Sequence, residues 1–212
     1  NFNTRQDGYD ISADALGYPE SYYTPPLEAV EQIELVRGAA SLQYGTQFGG
    51  LLNFKMKRGS EEKALEVVSR QTVGSCNYLG SFNSIGGSAG EWNYYGYFQH
   101  KQGSGWRPNT NYISNGFYAQ AGRKLGNKWT VDLAFTHNYY NSQQAGGLTD
   151  RQFEVNPNVS FRDRNWFRVN WNVANVTVNG QLTKNLTINS KTFVLSSSRA
   201  ALGYLGSITR TD

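Results

Sequence analysis

Arg107 is the side chain whose surroundings best suit ligand chemistry. The segment Gly105-Trp106-Arg107-Pro108 has no carboxylate within reach in sequence, so a guanidinium beside an indole is available for a planar carboxylate. Arg151, Arg162 and Arg164 differ, because Asp150, Glu154 and Asp163 accompany them and salt bridges of small individual worth are expected. Tyr18, Tyr22 and Tyr23 offer flat amphipathic faces with one hydroxyl each. Arg37 stands near Glu31 and Glu34 in an otherwise apolar alternation, and a buried guanidinium there must be paired. Catalytic chemistry has no such support. His100 and His137 lack Cys, Asp or Glu at metal-ligand spacing, and no serine sits in G-x-S-x-G. Gly86-Gly87-Ser88-Ala89-Gly90 lacks the lysine and helix of a phosphate loop and reads as a smooth strand. Cys76 stands alone, so no internal disulfide is possible. The expectation is a protein that is not an enzyme, with no metal and no cofactor.

The elements that must position these residues are strands. Beyond Gly59, aromatic and aliphatic residues alternate with Asn, Thr, Ser, Gln and Gly, most clearly in Trp129, Val131, Leu133, Phe135, His137 and Tyr139 against Thr130, Asp132, Ala134, Thr136 and Asn138. Strands are predicted near 64–73, 79–89, 92–102, 112–124, 129–140, 165–182 and 186–198. The sixth changes phase, Phe167, Val169, Trp171 and Val173 giving way to Val176 and Val178, which predicts a bulge near Ala174-Asn175. Connections alternate between tight turns, such as Gly90-Glu91, and long loops, such as the 24 residues from Asn141 to Arg164. That segregation is the arrangement of a transmembrane antiparallel β-barrel, with turns in the periplasm and loops outside. A mean hydropathy of -0.59 fits a barrel, which shows lipid only at every second residue. The odd-numbered face of 129–139 is expected to point to lipid. No run reaches the length of a membrane-spanning helix.

Ahead of the strands lies Val30-Glu31-Gln32-Ile33-Glu34-Leu35-Val36-Arg37-Gly38, then Leu42-Gln43-Tyr44-Gly45 and Gly49-Gly50-Leu51-Leu52-Asn53-Phe54-Lys55-Met56-Lys57. Taken alone these are two short apolar strands joined by a Gly-rich excursion. Together they resemble the end of the plug domain of TonB-dependent outer-membrane receptors, departing mainly at Ala39, where the family often has Pro. Asp7-Gly8-Tyr9-Asp10 is similar to the family's D-G-x-P element. The resemblance implies an all-β membrane fold in which residues 1–59 form the latter part of the plug and 60–212 the first barrel strands. Family barrels have roughly 22 strands, so a fragment holding about a third of the wall is expected. No signal peptide, TonB-binding segment or terminal aromatic is seen.

The resemblance implies location in the bacterial outer membrane and import of a ferric chelate energised by TonB. Val36-Arg37-Gly38 with Leu42-Gln43-Tyr44-Gly45 looks like the iron-chelate branch. Gly146–Asp150 and Arg164–Phe167 resemble Bacteroidota receptors related to ferric dicitrate receptors. Ligands in this family are held at the plug apex and by outer loops, which points to Tyr18, Tyr22, Tyr23, Gln47 and Arg107. For the tyrosines the alternative is a wedge between plug and wall, and for Arg107 it is contact with anionic lipopolysaccharide. Arg37, with Glu31 and Glu34, resembles the family's plug-to-barrel lock. The implied partners are TonB, a ferric chelate, and outer-membrane lipid with lipopolysaccharide, with no nucleic acid. The competing functions are a non-transporting surface or scaffold protein and an importer of a non-iron ligand such as a glycan or cobalamin.

Overall fold

The computed structural model describes residues 3–11, 22–38, 50–204, 206–207 and 210. Two sheets carry nearly all of its regular structure. The smaller has four strands in the order β2-β1-β4-β3: β1 Asn3–Gln6, β2 Tyr9–Asp10, β3 Val30–Val36 and β4 Leu51–Met56. β3 and β4 form the antiparallel pair expected from their alternation. β1 was not foreseen, because Asn3-Thr4-Arg5-Gln6 shows no apolar period. It exists through pairing with β4, parallel from Asn3↔Leu51 to Gln6↔Phe54, and turns through Asp7 and Gly8, both at positive φ, into β2.

The larger sheet has seven antiparallel strands in chain order: β5 Glu66–Gly74, β6 Tyr78–Ala89, β7 Trp92–Gly103, β8 Tyr112–Leu125, β9 Trp129–Gln143, β10 Trp166–Thr183 and β11 Leu186–Leu202. Each matches an alternating stretch of the sequence to within a few residues. Between β9 and β10 lies one short helix, α1 Asp150–Val155, capped by Thr149 and Gln152 in a reciprocal capping box.

The small sheet packs on the even-numbered face of β9, since Gln6 Nε2 donates to Thr136 Oγ1 (3.1 Å) and Arg58 Nη1 to Asp132 Oδ1 (2.6 Å). Leu133 and Phe135 on the odd face are 52% and 42% exposed. The register that points the odd aromatics away from the small sheet therefore holds.

The bulge expected near Ala174-Asn175 is absent. β10 runs in unbroken register from Trp166 to Gly180 against β9, and its pairing with β11 shifts only between Gln181 and Thr183. The apolar residues change face because the neighbours change. Val169, Trp171 and Val173 point inward onto Tyr9, Ile11, Tyr23 and Phe54, whereas farther along Val176 and Val178 point outward and Asn175, Thr177 and Asn179 take the inner face. A second cluster buries Ala29 and Met56 against Phe82, Tyr95, Tyr97 and Tyr118.

Candidate functional site

The chain leaves β4 at Met56 and crosses to β5 beneath the inner face, near the tight turns. Arg58 meets Asp132 here, and the same Asp132 oxygen accepts from Gln120 Nε2 (3.0 Å). The carboxylate is 10% exposed and the Arg58 side chain 55%. Burial opposes the Arg58 charge, but the hydrogen bond and charge of Asp132, with Asp7 behind, outweigh it and raise its pKa above the ordinary value. Gly122 makes room, because a Cβ there would lie 2.2 Å from Asp132 Oδ1. Asn93 grips the next residue from both sides, donating to Gly59 O (2.7 Å) and accepting from Gly59 N (3.2 Å). Gly87 lets residues 63–64 pass, since a Cβ at Gly87 would lie 2.1 Å from Ala64 O. Arg58, Gly59, Asn93 and Asp132 line a cavity of about 410 Å³.

Arg58 and Asp132 were not singled out from sequence, where Asp132 is one polar position in a strand and Arg58 one of three basic residues at the end of β4. The residues that were singled out stand elsewhere. Glu31 and Arg37 are exposed on β3 and just past its end, at the edge of the small sheet. Glu34 accepts from Asn53 Nδ2 (2.6 Å) and lies 4.0 Å from Lys55, both on β4. Between the sheets, Arg70 Nη1 reaches Glu28 Oε1 (3.5 Å).

Tyr23 is 3% exposed, stacked on Trp171 with ring centroids 4.5 Å apart, and its hydroxyl shares a hydrogen bond with Tyr97 (3.2 Å). Burial, and next the Tyr97 hydroxyl, push the Tyr23 pKa well above its ordinary value. Tyr22 packs on Phe167, centroids 6.0 Å apart, and its hydroxyl accepts from Arg199, whose guanidinium lies 5.5 Å from its ring. Both tyrosines thus meet the wall of the large sheet. Tyr18 and Gln47 lie outside the described residues. Asp7, at the β1–β2 turn, accepts from Met56 N (3.0 Å), yet burial dominates and pushes its carboxyl pKa up.

The long loops close on two arginines. Arg107 donates from Nε to Val159 O (3.1 Å), from Nη2 to Val159 O (2.7 Å) and Ala145 O (3.4 Å), and from Nη1 to Gly146 O (3.2 Å). Its charge has no carboxylate partner among the described residues, and its donors clasp the third long loop, which joins β9 to β10. Arg162 is buried and donates to Phe161 O (2.6 Å), Ser207 O (3.0 Å) and Arg210 O, with Tyr204 under its guanidinium at 4.7 Å. Main-chain carbonyls satisfy it where salt bridges were expected. His100 and His137 hydrogen-bond to Asn115 (2.8 Å) and Asn172 (2.7 Å) on the outward face. Among the described residues no cluster of His, Cys, Asp or Glu is able to hold a metal.

No protein-family model and no curated protein matches the sequence. Solved structures match it in fold. The ferric citrate transporter FecA, unliganded, superposes with a TM-score of 0.82 at 19% identity, over 97% of this chain and 32% of that one. The siderophore receptor PiuA from Acinetobacter baumannii gives 0.70 at 16%, over 94% and 29%. The ferric-catecholate import receptor Fiu from E. coli K12 gives 0.72 at 14%, over 93% and 32%. The fold is that of the plug and wall of such receptors, and the chain spans about a third of their length.

Proposed function

We propose that the chain belongs to an outer-membrane receptor that imports a ferric chelate, with residues 1–59 in the plug and 60–212 in the barrel wall. The observation that carries this reading is the plug sheet seated on the inner face of a transmembrane strand wall, an arrangement that superposes over 97% of the chain on a ferric citrate transporter. A plug so placed closes a lumen, and opening it needs work. TonB is the proposed source, acting through a segment ahead of the plug.

The ligand is proposed to be a small carboxylate-rich iron chelate. Arg107 presents a charge on the loop side with no carboxylate partner among the described residues, and its clasp on the third loop holds that charge in place. Tyr18, Tyr22 and Gln47 complete the proposed contacts, while Tyr23 is held against Trp171 of the wall. Arg37, with Glu31 and Glu34, is proposed to lock the plug edge to the wall.

The test is growth of a deletion strain under iron limitation with single chelates supplied. Loss of growth on one chelate, restored by the complete gene, is the expected result. Growth equal to the parent on every chelate would reject iron import and favour a non-transporting surface protein.

A further inference from the structure

The outward face of the wall changes character at one level. On the turn side it is apolar, with Val67, Ile85, Phe98, Phe117, Phe135 and Val194 at its upper limit. In the rows just above that limit neutral polar side chains take over and bond along the surface, before Val73, Leu79, Ile113, Trp166 and Leu202 follow nearer the loops. Ser69 donates to Asn83 (2.7 Å), His100 bonds Asn115 (2.8 Å) and Gln102 (3.2 Å), and Asn172 donates to Asn170 (3.1 Å). A β10 position facing hydrocarbon is apolar as far up as Ala174. Leu182 to Ala174 spans about 20 Å of height at the usual strand tilt, which approaches the apolar band of such barrels.

Arg168 is six positions above Ala174, about 20 Å along the strand and ~15 Å in height. It is exposed, points outward, and has no hydrogen bond or ion pair among the described residues. It is the one Arg, Lys, Asp or Glu among the described strand residues on the outward face above the apolar band. Its cross-strand neighbours are Asn141 and Ala200, and the next row is Gln143, Trp166 and Leu202. Asn141, Trp166, Arg168, Ala200 and Leu202 line a groove of about 390 Å³, and the Asn141 side-chain oxygen is buried without a hydrogen-bond partner.

We infer that this groove holds the phosphorylated sugar headgroup of an outer-leaflet glycolipid. A guanidinium pairs with phosphate, an indole takes the apolar face of a sugar ring, and Asn141 lacks a hydroxyl donor. Height excludes an ordinary phospholipid, whose headgroup layer is only about 5–8 Å thick on each side. Only a headgroup several sugars long reaches Arg168. The inference rests on the outer-membrane reading and is independent of which chelate, if any, is imported.

The test uses the complete receptor in nanodiscs doped with a lipid A glycolipid whose core sugars carry phosphate, with bound glycolipid counted by native mass spectrometry. Arg168→Ala and Trp166→Ala are each expected to lower retention at least fivefold, and phosphatase treatment of the glycolipid to do the same for the parent. Arg123→Ala, at the turn-side rim, is expected to leave it unchanged. Equal retention by parent and Arg168→Ala, retention indifferent to phosphate, or a co-purifying protein shielding Trp166 in place of lipid would each overturn the inference. Fractionation keeps the two readings apart: a receptor found outside the outer membrane refutes the import proposal as well, whereas one found there without glycolipid at Arg168 refutes only this site.

Discussion

Arg58→Ala is the perturbation that most directly tests how the plug is fastened. The Arg58–Asp132 contact, 2.6 Å long, joins the end of the plug to β9, five strands into the wall. Its worth lies between two limits: an exposed pair contributes about 0–1 kcal/mol, and breaking a buried one costs about 3–5 kcal/mol. Asp132 is nearly buried and keeps Gln120, while Arg58 is half exposed, so we take ~2 kcal/mol, with the lost carboxylate partner as the main component. That is about a thirtyfold rise in local opening. The amides of Met56, Lys57 and Gly59 report it, because they donate to Asp7 Oδ1 (3.0 Å), Ala29 O (2.8 Å) and Asn93 Oδ1 (3.2 Å). Hydrogen exchange of the complete receptor, for Arg58→Ala, Asp132→Asn and the double variant, gives the pair's coupling energy. A coupling below about 0.5 kcal/mol, within the error of such cycles, with unchanged exchange at residues 56–59, would refute the latch.

Other outcomes follow from neighbouring features. Gly122→Ala should mimic loss of Asp132, since the new methyl lies where the carboxylate sits, and exchange at residues 56–59 checks it. Tyr23→Phe should cost about 1 kcal/mol through the hydrogen bond to Tyr97, and Tyr23→Ala about 3–5 kcal/mol through the stack on Trp171, both measured by denaturant unfolding of the plug signal. Arg107→Ala should free residues 144–161 to protease and weaken ferric-chelate binding, more at low salt than at high; equal affinity for every chelate tried removes Arg107 from the site. Arg37→Ala should admit large antibiotics at normal surface expression. Burial raises the Asp7 pKa above its ordinary 3.8, so folding favours the protonated form of this group: the contribution of Asp7 to stability is fully present below 3.8 and is lost as pH rises through the folded value. Asp7→Asn should flatten that decline in a pH series of plug exchange.

The seven wall strands were legible because outward and inward positions alternate in character over long runs. The alternation did not reveal that the inner face itself changes. β10 looked broken at Ala174-Asn175 only because the plug supplies apolar partners to Val169, Trp171 and Val173 and none to Asn175 or Thr177. β1 was invisible for a related reason, as its ladder is tertiary and its side chains carry no period. α1 did leave a signal, since Thr149 and Gln152 stand at capping-box spacing. Arg107 was legible as a cation without a carboxylate, but its clasp was not, because main-chain carbonyls at Val159 and Gly146 have no sequence signature. The Arg58–Asp132 contact joins residues 74 apart, and no local pattern links them.

The parallel pairing of β1 with β4 also sets how the plug yields to tension. β4 runs toward the turns, ending where Arg58 is fastened, so β1 runs the same way and its Asn3 end lies at the far end of the ladder. A load drawn on the chain ahead of Asn3 toward the turn side pulls in the direction in which β1 runs, so that it doubles the chain back over the strand from its Asn3 end. It meets the pair Asn3↔Leu51 first and Gln6↔Phe54 last, parting them in sequence. Such a joint opens like a zipper, one rung under stress at a time, whereas the same bonds loaded in shear would share the force. The plug can therefore be strong against thermal opening and weak against a pull from one particular side.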